Sequence, residues 1–420
     1  MRAWSPDRVA RAAGGRLVAP APVTTGPRRV VIDSREVTEG DLFVGLPGAA
    51  LDGGAFAARA LQAGAWGTLT TPAHAAETRG TTPGAVIAVD DPIAGLHRLA
   101  TEWRRALEVQ VIGITGSTGK TSTKDLLAGM LRPYRRTVAT AQNLNTEIGV
   151  PLTILSAPAD TEVLVLEMAM RGLGQIAELA AIAEPDVGVI VNIGPVHLEL
   201  LGSITAIAAA KAELIAGLRG GGTAVVPVDE PLLEPYHRHD LSWITFGLGG
   251  DVADLGDVRI PFESAHMRRN ALAALGATRA VGVEPRGLVD VELSARRGQR
   301  VELDNGAVIL NDCYNANPMS MRAALDELHR APGRRVAVLG DMLELGPDEI
   351  RFHEEIGAYA RERSDVLVTV GPLAAHMGGD YSVADAAAAA ALVEEIVSEG
   401  DTVLVKASRG VGLEAVAEAL

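Results

Sequence analysis

The sequence predicts an α/β protein of several domains, and three observations lead to this prediction. The chain has 420 residues, more than one ordinary hydrophobic core accommodates. An apolar strand, a glycine turn and a helical pattern follow one another over residues 109–131. Strand and helix patterns then alternate through the last third of the chain. Such alternation predicts parallel sheets joined by right-handed crossovers.

Composition narrows the class of protein. Apolar residues make up 48% of the chain and aromatic residues 3%, which suits closely packed α/β layers. The net charge of −15 argues against a nucleic-acid partner, because phosphate contacts need clustered Lys and Arg. The single cysteine, Cys313, excludes an intramolecular disulfide and a cysteine-based zinc site. With no leader pattern and no apolar run of the ~20 residues a membrane span needs, we expect a cytoplasmic protein.

Residues 1–108 predict a small α/β domain. The strand patterns lie at 30–35, 41–45 and 85–89, and the helical patterns lie at 56–65 and 93–107. Asp33-Ser34-Arg35 lies at the end of the first of these strands, and Asp52-Gly53 is nearby in the sequence. They could bind an anionic or sugar-like ligand. The simpler alternative, a turn beside a solvated arginine, stays open.

Residues 109–287 predict a second domain that begins with a phosphate-binding turn. After the strand at 109–114 comes Gly116-Ser117-Thr118-Gly119-Lys120-Thr121-Ser122, at the start of a helix. Glycines let backbone N–H groups approach a polyphosphate, and the helix dipole favours its charge. Lys120 would reach the outer phosphates and the Thr121 hydroxyl would ligate Mg²⁺. The turn has a short GxxGKT form, because Ile114 stands where the longer pattern has glycine. We predict ATP binding.

Three further residues of this domain suggest chemistry. Glu167 closes an apolar strand at 161–166, where open α/β sheets place ligand groups. His197 follows the strand at 187–193, although a histidine bonded locally in a turn would look the same. Lys211 falls in the apolar stripe of a helix at 204–218, so it needs a partner, a lowered pKa or chemical conversion, unless it reaches solvent.

The pattern of residues 288–420 predicts a third domain with a parallel sheet wound by right-handed crossovers. It is preceded by a helix at 265–281 that contains Asn270. The predicted strands are 307–312, 335–340, 366–371 and 402–406, and the predicted helices are 318–329, 349–363, 384–397 and 411–420.

These segments together resemble the Mur ligase family. The segments that carry the resemblance are Gly113 to Thr121, Asn143 to Thr153, Asn192 to His197 with Ala210 to Glu213, Asn311 to Pro318 with Ser320-Met321, and Leu339 to Gly346. The resemblance covers nearly the whole chain. It implies an N-terminal UDP-sugar domain, a central P-loop ATPase domain and a Rossmann-like C-terminal domain that closes over the nucleotide.

The resemblance also implies roles for single residues. Lys120 and Thr121 would serve the phosphates and two Mg²⁺ ions, with Glu167, His197 and a carbamylated Lys211 as metal ligands. Adenine and ribose would contact Asn270, Asp312 and Tyr314. The other substrate would lie against Ser34, Arg35, Asp52, Gly53, Asn143, Asn145, Thr146, Lys406, Ser408 and Arg409.

The implied reaction is ATP-driven amide bond formation through an acyl phosphate. The substrates would be UDP-N-acetylmuramoyl-tripeptide and D-alanyl-D-alanine, and we expect a monomer. Two alternatives stay open: a ligase of the Mur or folylpolyglutamate type with another acceptor, and a P-loop ATPase without ligase activity. No guanine-reading Asn-Lys-x-Asp segment occurs, which weighs against a nucleotide switch.

Some positions depart from the family pattern. Ala169 and Ala407 stand where glycine is usual, Met267 replaces an asparagine, and Gly54 replaces a histidine that often follows Asp-Gly. None of these is a predicted phosphate or metal group. They make the peptide substrate harder to predict than the ATP chemistry.

Overall fold

The N-terminal part of the chain forms a mixed sheet with four helices. The computed structural model describes residues 1, 3–21, 24–49, 51–196, 198–294 and 299–419. Its first elements are α1 (Pro6–Ala12), β1 (Arg16–Ala19), β2 (Val30–Val31), β3 (Leu42–Val44), α2 (Ala57–Gln62), β4 (Gly67–Thr70), α3 (Pro72–Thr78), β5 (Ala85–Ala88) and α4 (Pro92–Leu107). The strand order is β1-β5-β4-β3-β2, with β1 antiparallel to β5 and the other pairs parallel.

The strand predicted at 30–35 is much shorter than expected. After Val31 the chain turns, because the Asp33 carboxylate accepts the Arg35 N–H at 2.9 Å and the Asp33 carbonyl accepts the Glu36 N–H. A side-chain bond to the nearby backbone competes with the ladder of a sheet. This segment therefore leaves the sheet at its carboxyl edge.

The central part is a parallel sheet covered by helices on both faces. Its elements are β6 (Gln110–Thr115), α5 (Lys120–Leu131), β7 (Thr137–Ala139), α6 (Gly149–Ser156), β8 (Val163–Glu167), α7 (Gln175–Ala183), β9 (Val187–Ile190), α8 (Leu198–Leu201), α9 (Ile204–Ala216), β10 (Thr223–Pro227), β11 (Ser242–Phe246) and α10 (Ala265–Ala280). The strand order is β11-β10-β9-β6-β8-β7. A short parallel pair, β12 (Val258–Arg259) and β13 (Gly287–Leu288), lies beside it.

The C-terminal part is a second wound sheet. Its elements are β14 (Gln299–Glu302), β15 (Val308–Asn311), α11 (Pro318–His329), β16 (Arg335–Gly340), α12 (Glu349–Arg361), β17 (Val366–Val370), β18 (Tyr381–Val383), α13 (Ala386–Ile396), β19 (Thr402–Lys406) and α14 (Glu414–Ala419). The order is β14-β15-β19-β16-β17-β18, and the described pairs are parallel except β14 with β15. The predicted α/β class is confirmed.

Helix α4 joins the first two sheets. Its apolar face, with Leu96, Leu99 and Trp103, is buried, and the Trp103 ring meets the Trp4 ring edge-on at 5.3 Å. The Trp103 indole N–H donates to the Ala157 carbonyl at 3.1 Å. Among the described residues, no helix is both long and apolar enough to cross a bilayer.

A buried histidine fixes a loop of the C-terminal sheet. The His353 ring is fully buried; its Nε2 accepts the Met342 N–H at 2.9 Å and its Nδ1–H donates to the Glu349 carbonyl at 2.7 Å. The bond accepted by Nε2 requires the neutral ring, because a protonated Nε2 has no lone pair to accept with. Burial lowers the pKa of His353 below its ordinary value of 6.5.

We expect this histidine to make the C-terminal sheet sensitive to acid. The unfolded chain binds a proton near pH 6.5 that the folded chain rejects, so stability is complete above that pH and falls below it. The loss should approach about 1.4 kcal/mol per pH unit. Hydrogen exchange of peptides spanning 335–361 at pH 7.5 and pH 5.5 measures it. His353→Gln should show a smaller difference between the two pH values, whereas the exposed His329→Gln should behave like the wild type.

Candidate active site

A deep cleft lies at the carboxyl edge of the central sheet. It encloses about 1490 Å³, and residues of the C-terminal sheet and of α11 form its opposite wall. The predicted residues that it brings together are Ser117, Thr118, Gly119, Lys120, Thr121, Ser122, Asn143, Asn145, Thr146, Glu167, Asn270, Asp312, Tyr314, Lys406, Ser408 and Arg409. Ligands of open α/β sheets bind at this edge.

The glycine turn is shaped for close approach of a ligand. Gly119 has φ +75°, and a β-carbon there would lie 2.6 Å from Asn270 Oδ1, so another residue would be both strained and crowded. Lys120 begins α5, and its Nζ donates to the Gly116 carbonyl at 2.8 Å across the turn. The N-terminus of α5 therefore faces the cleft with its amides and a cation.

The loop after β9 braces this turn. The Thr118 N–H donates to Asn192 Oδ1 at 2.9 Å, and the Asn192 amide donates to Thr118 Oγ1 at 3.0 Å. Ser117 Oγ accepts the Gly194 N–H at 2.8 Å and donates to the Gly194 carbonyl at 3.0 Å. Across the cleft, Met319 of α11 packs so closely on Gly194 that a β-carbon there would collide with its sulfur.

Glu167 ties the turn to the neighbouring strand. It is 1% exposed; Thr121 Oγ1 donates to its Oε2 at 2.7 Å, and Asn145 Nδ2 donates to its Oε1 at 2.8 Å. A hydroxyl and a carboxylate are oxygen donors of the kind that Mg²⁺ takes together with phosphates and water. The donor set fits Mg²⁺. Within the described ranges, no three His, Cys, Asp or Glu side chains form a metal cluster by themselves.

Lys211 is buried, as the helical pattern predicts. It is 2% exposed, and burial, followed by the nearby charge of Lys120, pushes the pKa of its ammonium well below 10.5. Of the predicted site residues of the central domain that the structure describes, Lys211 and Gly116 do not line the cleft themselves. His197, the other predicted metal ligand, lies outside the described residues. The alternative that Lys211 reaches solvent is wrong, because the side chain is enclosed.

Glu213, two residues after Lys211, has a structural role. The Glu213 carboxylate accepts the N–H groups of Gly174 at 2.6 Å and Ala177 at 3.0 Å, which are the free donors at the start of α7. Helix α7 in turn presents Gln175 and Glu178 to the cleft. Glu213 therefore aligns one wall of the site.

The opposite wall is held by a partly buried ion pair. Lys406 is 2% exposed, and its Nζ lies 2.5 Å from Asp312 Oδ2 and 2.9 Å from the Asn315 carbonyl. Ser408 Oγ accepts the Leu343 N–H at 2.9 Å. Through these contacts, Lys406 and Ser408 position the loops that carry Tyr314 and Leu343.

The predicted N-terminal residues lie away from this cleft. Ser34, Arg35, Asp52 and Gly53 follow β2 and β3 at the carboxyl edge of the first sheet. The Arg35 guanidinium donates to the Asp33 carboxylate, with Nε 3.0 Å from Oδ1 and Nη2 2.6 Å from Oδ2. These bonds lower the pKa of Asp33 to about 2. The simpler turn alternative accounts for these contacts.

His74, a residue that the sequence patterns did not single out, lies beside Asp52. Asp52 Oδ1 accepts the Gly54 N–H at 2.9 Å, and Oδ2 lies 3.1 Å from His74 Nε2. The His74 ring fills the space that a side chain at position 54 would need. Asp52 raises the pKa of His74, and Glu77 adds to this effect. An imidazole from α3 therefore occupies the place where the family pattern has a histidine at 54.

Sequence reasoning also missed polar residues on the helices that line the cleft. His266 of α10 and Glu327 of α11 face it beside Asp312, and burial lowers the pKa of His266 and raises that of Glu327. In the sequence both look like the solvated face of an amphipathic helix. The packing of the C-terminal part against the central part brings these two side chains into the cleft, and a local sequence pattern does not show that packing.

Three family models match the chain. They are the Mur ligase family catalytic domain over residues 28–103, the Mur ligase middle domain over 114–270, and the Mur ligase glutamate ligase domain over 296–409. A relative from Bacillus subtilis, called UDP-N-acetylmuramoyl-tripeptide–D-alanyl-D-alanine ligase, is 36% identical over 98% of this chain and 97% of its own length. Relatives with the same name from Synechocystis and Escherichia coli K12 are 38% and 30% identical, over 93% of this chain and 91% and 93% of their own lengths.

Solved structures agree with the predicted three-domain architecture. A crystal structure of MurF from Acinetobacter baumannii matches with a TM-score of 0.87 at 28% identity, over 99% of this chain and 98% of its own. A MurF ligase from Thermotoga maritima in complex with ADP matches with a TM-score of 0.82 at 31% identity, over 93% of this chain and 96% of its own. By its sequence and its fold, the chain belongs to the Mur ligase family.

Proposed function

We propose that this protein is the ATP-dependent ligase that joins D-alanyl-D-alanine to UDP-N-acetylmuramoyl-tripeptide in peptidoglycan precursor synthesis, forming ADP. One observation carries the proposal: the glycine turn, Lys120 and the Thr121–Glu167 pair face the same cleft as the C-terminal wall. The names of the full-length relatives support this choice of substrates. ATP binding fits the ADP complex of the Thermotoga relative.

The chemistry begins with two anions. A substrate carboxylate attacks the γ-phosphate, the bond from that phosphorus to the bridging oxygen breaks, and ADP leaves with an acyl phosphate remaining. The amine of D-alanyl-D-alanine then attacks the acyl carbon, and phosphate departs. Positioning and neutralisation of charge supply most of the catalysis in such a reaction. Lys120 and the amides of α5 hold the phosphates, and Mg²⁺ bound beside Thr121 and Glu167 would neutralise charge.

The assignment of residues to ligands follows the geometry of the walls. We propose that Gly116 to Ser122, Asn270, Asp312 and Tyr314 bind ATP, with residues 109–287 as the ATP domain and 288–420 as the closing domain. Residues 1–108 would bind the UDP-sugar at the edge that carries Ser34, Arg35, Asp52 and Gly53. Asn143, Asn145, Thr146, Lys406, Ser408 and Arg409 would bind or position the peptide. The enzyme would work as a monomer in the cytoplasm.

Lys211 and His197 complete the proposed metal site, with two Mg²⁺ ions in all. A carbamate forms when a neutral amine adds to CO₂ and loses a proton. Burial and the charge of Lys120 favour the neutral amine of Lys211. Conversion would replace this buried neutral amine with an anion that attracts Lys120. It would also supply a carboxylate-like ligand for a second Mg²⁺.

The reaction predicts a double requirement for substrates. Phosphate release from ATP should occur only when UDP-N-acetylmuramoyl-tripeptide and D-alanyl-D-alanine are both present, and mass spectrometry should show the pentapeptide product. Phosphate release that is indifferent to the dipeptide would instead identify an ATPase. Release with a single amino acid in place of the dipeptide would identify a ligase with another acceptor.

The carbamate predicts a dependence on CO₂. Lys211→Ala should lower kcat at least 100-fold, because a metal ligand is lost, while ADP binding measured by calorimetry changes little. Wild-type enzyme freed of CO₂ should lose activity and regain it with bicarbonate. Lys211→Ala should not respond to bicarbonate, which makes it the matched control. A fully active Lys211→Ala variant would remove the carbamate from the mechanism.

A further inference from the structure

Helix α4 is hydrogen-bonded to the cleft loop through the side chain of His97. His97 lies on α4 with 15% of its side chain exposed, and its Nε2–H donates to the Glu147 carbonyl at 2.7 Å. Its Nδ1 lies 3.8 Å from Glu178 Oε1 of α7. Glu147 and Glu178 both line the cleft. His97 therefore connects the helix that leaves the first sheet to two walls of the active site.

The Glu147 carbonyl needs this donor because of a proline. At the start of α6 the Val150 N–H donates to the Thr146 carbonyl at 2.9 Å, and the Leu152 N–H donates to the Ile148 carbonyl at 3.3 Å. The matching donor for Glu147 would be residue 151, which is Pro151 and has no N–H. His97 supplies the hydrogen bond that the helix cannot make.

The same loop carries the group that orients Glu167. Two residues before Glu147, Asn145 Nδ2 donates to Glu167 Oε1 at 2.8 Å, and the Asn145 carbonyl accepts the Ala169 N–H at 2.9 Å. Glu167 accepts the Thr121 hydroxyl in turn. A continuous set of hydrogen bonds and short backbone links thus runs from His97 to the proposed Mg²⁺ ligands.

Helix α4, which carries His97, is itself hydrogen-bonded to the end of α7. One turn along α4, Thr101 Oγ1 donates to the Ile182 carbonyl at 3.0 Å, and beyond it Arg104 Nε donates to the Ala183 carbonyl at 3.0 Å. Both bonds fix α4 to the end of α7 and leave the 143–147 loop untouched. The hydrogen bond that joins the 143–147 loop to α4 is the one made by His97.

We propose that His97 is a positioning residue: by replacing the hydrogen-bond donor that Pro151 lacks, it fixes the 143–147 loop so that Asn145 holds Glu167 in the Mg²⁺-binding orientation. The inference rests on the proposed function. It gives His97, which lies on the helix between the first two sheets, a positioning role in the ATP site.

The test is binding of ADP in the presence of Mg²⁺, measured by calorimetry on the full chain. His97→Ala should weaken Mg²⁺-dependent ADP binding about tenfold, as loss of groups that orient metal ligands does, and should lower kcat. Thr101→Val removes another side-chain hydrogen bond of the same helix, one that does not reach the loop, and should leave the affinity unchanged. His97→Gln keeps an N–H donor and should recover most of the affinity.

The decisive variant is the double substitution His97→Ala with Pro151→Ala. It restores an N–H at position 151, so the helix itself can bond the Glu147 carbonyl, and affinity should return to within about threefold of the wild type. If the double variant binds as weakly as His97→Ala, or if His97→Ala binds as tightly as Thr101→Val, the inference is wrong. Wild-type protein that fails to bind ADP with Mg²⁺ would instead overturn the proposed function.

Discussion

The site depends on one buried carboxylate. Glu167 ends β8 and receives a hydroxyl from the phosphate turn on one oxygen and an amide from the neighbouring loop on the other. A carboxylate that is 1% exposed needs such donors, because burying it without hydrogen bonds costs free energy. The same donors hold three separate segments in one place: the start of α5, the end of β8 and the loop after β7. Without Glu167 these segments would lose their common point of contact.

The two walls of the cleft are organised by different means. On the ATP side, hydrogen bonds from Thr118, Ser117 and Thr121 join backbone turns at adjacent strand ends. On the other side, the partly buried Lys406–Asp312 pair holds a single loop against β19. Loss of Asp312 would leave the enclosed Lys406 ammonium without its counter-charge, which is costly. The C-terminal wall therefore relies on the contacts of two side chains, Lys406 and Ser408, where the ATP wall relies on bonds between several backbone turns.

Much of the fold follows from local patterns. The strand, turn and helix around Lys120 and the strand that ends at Glu167 were predictable, because a buried parallel strand and a glycine turn leave clear periodic signals. Short strands such as β4 and β18 give little signal, and Asp33 ended a predicted strand through its own side chain. The burial of Lys211 was visible in helical spacing. Its electrostatic contact with Lys120 was not, since the two residues are far apart in the chain.

The contact of Met319 with Gly194 constrains what can stand at position 194. Gly194 is bonded through both its N–H and its carbonyl to Ser117, so a side chain of the C-terminal wall rests on the loop that braces the phosphate turn. A β-carbon at position 194 would have to displace the Met319 sulfur, so any larger residue there would press the C-terminal wall away from that loop. The missing side chain at position 194 therefore sets how closely the two walls of the cleft approach each other.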